Sequence, residues 1–169
     1  PHPHTMTHRR SVEFLPPEDD LRRLLGRFQC LNSLHLQGLA VVGDEVVSIL
    51  NESPAADTIT HIFLHGCSLS YWCSESFQLK HLQHGTICGG QIRASVCSLL
   101  KHSNHLQSLS IGQCSAMRDD KVSDIAKQTF QLESLTLNQC VRLRQPVIKF
   151  PKLETLNLSG CFGLTSLPH

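Results

Sequence analysis

Histidine and cysteine are the side chains here that could do chemistry near neutral pH, with eleven of the first and eight of the second in 169 residues. His61 and His65 stand four apart, as do His84 and Cys88, and His35 precedes both pairs. If the segments that hold them are adjacent strands, His61 and His84 become lateral neighbours at about 4.8 Å, with Cys88 beside His65. Imidazole and thiolate together can ligate zinc. The two pairs, however, lie roughly 13 Å apart along their strands, a gap that one ion does not bridge. Two readings stay open, ordinary surface polarity and a protein contact whose charge changes with pH. No metal and no cofactor is expected.

Four of the cysteines point to packing rather than bonding. Cys67, Cys114, Cys140 and Cys161 each close a similar run of hydrophobes: Ile59/Ile62/Leu64, Leu106/Leu109/Ile111, Leu132/Leu135/Leu137 and Leu153/Leu156/Leu158. A small hydrophobe with a weak S–H donor at a recurring position lines a core and caps backbone groups. Cys30 immediately precedes the first such run, and Cys97 falls on the apolar side of an expected helix. Reduced thiols in the cytoplasm or nucleus are therefore expected, rather than a disulfide framework. Tyr71 and Trp72, the single Tyr and the single Trp, sit together on an expected loop. Such a pair is either packed beneath the loop or an anchor for a partner.

The same run occurs again as Leu31/Leu34/Leu36/Leu39, and a weaker copy, Leu82/Gly85/Ile87/Gly90, fills the one long gap. The six runs start at Leu31, Ile59, Leu82, Leu106, Leu132 and Leu153, so the spacing stays in the twenties throughout. Such spacing matches the leucine-rich repeat of about 20–29 residues. The Leu-x-Leu alternation is strand-like, so the two leucines face one way and their neighbours the other. No unit buries its hydrophobic face alone, and stacking six makes a continuous core. The expected fold is an α/β leucine-rich-repeat solenoid, with a parallel β-sheet on the concave face and short helices or 3₁₀ turns on the convex face. Leu135 and Leu156 are expected at equivalent buried positions.

Around the strands the chain divides into a tail over 1–10, a capping helix within 11–30 and about six repeats over 31–169. His2, His4 and His8 lie in the polar tail, where any metal binding would be weak. Pro16-Pro17, the acids Glu18 to Asp20, and Leu21, Leu24, Leu25 and Phe28 carry helix-start and helix-face signals. Outer helices are expected from Asp44, across Ile92 to Leu100, and from Asp119 or Asp120. The fifth unit, from Leu132 to the next start at Leu153, is the shortest and contains Pro146. Its outer side should be extended or a single 3₁₀ turn. No polar cap follows Leu164 and Leu167-Pro168. Either a partner covers an open C-terminal edge or the chain is part of a longer one.

The phrases Leu153-Glu-Thr-Leu-Asn-Leu-Ser-Gly-Cys161, Leu132-Glu-Ser-Leu-Thr-Leu-Asn-Gln-Cys140 and Leu106-Gln-Ser-Leu-Ser-Ile-Gly-Gln-Cys114 resemble the cysteine-containing class of leucine-rich repeats. That class is typical of F-box/leucine-rich-repeat proteins, the substrate receptors of cullin-type ubiquitin ligases, and of related mitotic-exit regulators. The resemblance covers roughly residues 31–169 and implies a receptor for a protein partner. About thirty residues precede the repeats, too few for an F-box, and Gly85 and Gly90 depart from the pattern.

Three columns of side chains should line the concave face: Ser33, His61, His84, Ser108, Ser134 and Thr155; His35, Phe63, Thr86, Ser110, Thr136 and Asn157; Gln37, His65, Cys88, Gly112, Asn138 and Ser159. None is Asp, Glu, Lys or Arg. A neutral, hydrogen-bonding protein surface suits such a face, with His35, His61, Phe63, His65, His84, Tyr71 and Trp72 as the binding residues. A formal net charge of +1 gives no reason to expect nucleic acid or an anionic membrane. No apolar run approaches the roughly 20 residues of a membrane span. Without a phosphate loop, a Cys-x-x-Cys pair or a nucleophile elbow, the chain reads as non-catalytic. The expected function is protein recognition, as in a ubiquitin-ligase substrate receptor or similar adaptor. The alternative is a structural accessory subunit of a large assembly.

Overall fold

The computed structural model describes residues 18–38, 43–68, 75–89 and 96–166. The expected tail over 1–10, Pro16-Pro17, Ile92 and Leu167-Pro168 lie outside the described residues. Six strands form one parallel sheet in chain order: β1 (Ser33–Gln37), β2 (His61–His65), β3 (His84–Cys88), β4 (Ser108–Gly112), β5 (Ser134–Asn138) and β6 (Thr155–Asn157). The period-2 alternation sets which way each side chain turns. Leu34 and Leu36, Ile62 and Leu64, Leu109 and Ile111, and Leu135 and Leu137 are buried on one face. The residues between them occupy the other.

Parallel neighbours need a crossover on the buried side. Helices α2 (Asp44–Glu52), α3 (Val96–Leu99) and α4 (Asp119–Gln128) lie in these crossovers, together with a 3₁₀ turn at Pro54–Asp57. Val46, Val47, Ile49 and Leu50 of α2, and Val122, Ile125 and Ala126 of α4, join the strand leucines in one core. An earlier helix, α1 (Glu18–Leu25), buries Leu21 and Leu25 and packs on α2. Its Arg22 donates to Glu52 at 2.6 Å, and this bond holds the Glu52 carboxyl below its usual range. Both side chains are exposed, so the pair adds little stability. Residues 141–152 are non-helical, as the short spacing and Pro146 require, and they bury Leu143 and Phe150.

One turn recurs at every strand exit. Gly38, Gly66, Gly89 and Gly160, with Gln113 and Gln139, all take φ between 55° and 73°. Each is the eighth residue of its unit. This left-handed conformation is free of penalty only for glycine. It aims the backbone N–H at the next unit: Gly38 donates to His65 O at 2.9 Å, Gly66 to Cys88 O at 2.7 Å, Gln113 to Asn138 O and Gln139 to Ser159 O at 2.8 Å. The cysteine that follows reaches the opposite way. The Sγ of Cys67 donates to Leu36 O at 3.4 Å, that of Cys140 to Ile111 O at 3.8 Å and that of Cys161 to Leu137 O at 2.9 Å. Among the described residues, Cys30, Cys88, Cys97, Cys140 and Cys161 are free thiols, and Cys67, Cys114, Cys140 and Cys161 are buried.

Two aspartates hold the outer side together. Asp44 accepts the N–H of Glu75 at 2.7 Å, and Asp119 accepts those of Arg144 and Gln145 at 2.9 and 3.0 Å. Both are the fourteenth residue of a unit, and both open a helix, where a carboxylate also meets the positive end of the dipole. Asn51 completes the first clamp, donating to Ser76 O and accepting from Gln78 N. In each case a helix fixes the backbone of a following segment that is not helical.

Two positions differ from the repeat pattern. Gly85 lacks the expected hydrophobe, yet β3 keeps full register, with Gly85 between Ile62 and Leu109. The pattern also makes Leu156 the equal of Leu135, but Leu156 is 39 % exposed, whereas Leu135 is fully buried. β6 pairs on one side only, so its leucine is covered from that side alone.

Replacing Leu135 by Ala should cost about 2–5 kcal/mol, as expected for a fully enclosed side chain. Leu156→Ala should cost clearly less, and urea denaturation of both variants measures the difference. The thiols set a second expectation. Burial pushes Cys140 up to about 12 and Cys97 up to about 11, and it also raises Cys114. A folded value above the unfolded one of about 8.5 means that the contribution is complete below that pH and is lost as pH rises beyond it. The melting midpoint should therefore decline above about pH 8.5. In Cys140→Ala that decline should be shallower, and an equal slope would refute the assignment. At neutral pH, alkylation should reach exposed Cys30 well before Cys140.

Candidate functional site

The face of the sheet turned away from the helices carries the three columns in register. Ser33, His61, His84, Ser108, Ser134 and Thr155 pair successively, as do His35, Phe63, Thr86, Ser110, Thr136 and Asn157. Gln37, His65, Cys88, Gly112 and Asn138 form the third, which ends at β5 because the last pairing stops at Asn157. Ser159 therefore lies beyond the sheet.

Four of the expected binding residues come together. The rings of His35 and Phe63 lie 4.1 Å apart and tilted, those of His61 and His84 4.3 Å apart and stacked, and His61 and Phe63 6.4 Å apart and nearly parallel. The contacts run diagonally across β1, β2 and β3, so the rings form one continuous patch. Strand geometry produces this: positions 61 and 63 turn to the same face, and parallel pairing sets His35 beside Phe63 and His84 beside His61.

Local hydrogen bonds orient two of these imidazoles. His61 Nδ1 meets Thr60 Oγ1 at 2.8 Å, and that hydroxyl lies 3.2 Å from Asn32 O. A hydroxyl has one proton. It can go to the ring or to Asn32 O, and in either case the contact holds His61 against Thr60. His35 Nε2 meets Ser33 Oγ at 3.1 Å. These bonds, with the ring contacts, limit the rotation that an exposed histidine would otherwise have.

His65 is exposed and stands at the next paired position, between Gln37 and Cys88, so it borders the ring patch. Cys88 leans along the third column: a Cβ built at Gly112 would sit 2.8 Å from its sulfur. Glycine at 112 is thus the residue that leaves room for this thiol. Tyr71 and Trp72 lie outside the described residues. Among the described residues, no three His, Cys, Asp or Glu side chains converge as a metal site, and no helix is long and apolar enough to cross a membrane.

Beyond β3 the face thins. Ser108, Ser110 and Gly112, then Ser134, Thr136 and Asn138, offer hydrogen-bonding groups with little area. The patch is therefore a local rise of aromatic bulk at one end of an uncharged surface. Sequence reasoning missed the two aspartate clamps, although Asp at the fourteenth position of two units was a readable signal. Compared with known protein families, curated proteins and solved structures, the chain has no match.

Proposed function

We propose that this chain is a leucine-rich-repeat recognition module, non-catalytic, that holds a protein partner on its concave face. The single observation that carries the reading is the His35–Phe63–His61–His84 ring patch on a surface without Asp, Glu, Lys or Arg. Aromatic side chains with restricted rotation are the groups that anchor protein interfaces, since they bury much area at low entropic cost. The neighbouring Ser, Thr, Asn and Gln supply adaptable hydrogen bonds. A neutral surface with one apolar residue inserted among the rings fits this arrangement. The resemblance of the Cys-ended repeats to F-box/leucine-rich-repeat proteins favours a substrate-receptor role of the ubiquitin-ligase type.

A structural accessory subunit of a large assembly is the second reading. The observation favouring it is the apolar surface near β6, where Leu156 is 39 % and Phe162 89 % exposed. Affinity purification of the tagged chain separates the two. A receptor copurifies with a cullin adaptor or a client that is turned over, and a structural subunit with a complex of fixed stoichiometry.

Alanine at Phe63 and His61 together should weaken partner binding by about tenfold or more, as loss of interface anchors does. Alanine at Ser110 and Thr136 together should have far less effect. Calorimetric titration with the purified partner reads both. Equal effects of the two double variants, or a footprint confined to the outer helices, would discard the concave-face reading.

A further inference from the structure

The side of the molecule opposite the ring patch carries a groove that the repeat pattern does not account for. It measures about 300 Å³ and is lined by Ala126, Lys127 and Phe130, at the end of α4, and by Val147, Lys149 and Pro151 of the non-helical segment. Its origin lies in the change of outer structure between the fourth and fifth units. The preceding helix, α3, packs against α4 on one flank. On the other flank the fifth unit is too short and too proline-bound to form a helix, so α4 meets a single extended strand of chain. Asp119 fixes that segment at Arg144 and Gln145, at the far end of α4. Just beyond the end of α4, Phe130 is 59 % exposed, and Val147 of the non-helical segment is 41 % exposed; both line the groove.

Its charge is one-sided. Lys127 and Lys149 line the groove, and no Asp or Glu does. Lys127 is paired with Asp124 at 3.3 Å, but Asp124 also faces Lys121 at 3.8 Å, and the Lys127 side chain is 75 % exposed. Lys149 makes no ion pair among the described residues. We infer that this groove is a second docking site, which takes an acidic peptide segment by seating one bulky apolar side chain between Phe130 and Val147. Carboxylates flanking that side chain meet Lys127 and Lys149. The lysines give orientation and salt sensitivity, and the apolar floor gives the anchor. The site is independent of the ring patch.

The test is an NMR titration of the full chain with two pools of short synthetic peptides. Each pool has Leu, Phe or Trp at the centre, flanked by Glu in one pool and by Lys in the other. The Glu pool should shift the amides of Ser123, Lys127, Phe130 and Val147 in a saturable way, and the Lys pool should not. The exposed-site double variant Lys127→Glu/Lys149→Glu, which keeps the fold, should weaken the Glu pool by about tenfold and gain the Lys pool. Phe130→Ala should weaken binding of the Glu pool while leaving the charge preference intact. No saturable shift from the Glu pool, equal response to both pools, or shifts confined to the sheet face would overturn the proposal.

Discussion

Everything in this molecule depends on the turn by which the chain leaves each strand. One residue in the left-handed region points its N–H forward to the next unit, and the cysteine after it, where present, points its thiol back to the previous one. Where that cysteine is present, as between β1 and β2, the boundary is bonded in both directions at a single place. A larger hydrophobe there could not donate, and the site is small and apolar. Burial raises the Cys114 and Cys140 thiols above their usual range, and a thiolate could not donate.

Alignment in turn makes the ring patch. His61 and His84 belong to different units, as do His35 and Phe63, and each pair is far apart along the chain. Only the parallel register brings them into stacking distance. Among the described residues, all four rings stand on strands. A rigid sheet supplies the placement, and two short hydrogen bonds, through Thr60 and Ser33, orient the imidazoles. A surface built in this way would lose little freedom if a partner covered it.

The strands and the helix starts at Asp44 and Asp119 were legible in the sequence, because period-2 alternation and first-turn acids are local signals. So was the pairing of His61 with His84, which follows from counting within the unit. The left-handed turn was half visible: four glycines at the eighth position announce it, but Gln113 and Gln139 conceal it, since glutamine carries no preference for that conformation. Leu156 shows a different limit. Its sequence context equals that of Leu135, and only the number of neighbouring strands separates them. The groove beside α4 was hidden for the same reason, as it is made by what the fifth unit fails to form rather than by any motif of its own.

The units of this chain differ in length, from the long first one that opens at Leu31 to the short fifth one that opens at Leu132. Even so, the first five strands are equally long and keep an unbroken register. The whole difference is taken up on the outer side, which can be a helix, a 3₁₀ turn or an extended run clamped by an aspartate. Insertions and deletions there are silent at the sheet face. The two faces are consequently free to diversify at separate rates: one drifts by changing length, the other by changing side chains on a fixed lattice. A change of length on the outer side therefore leaves the side chains presented on the sheet face in place.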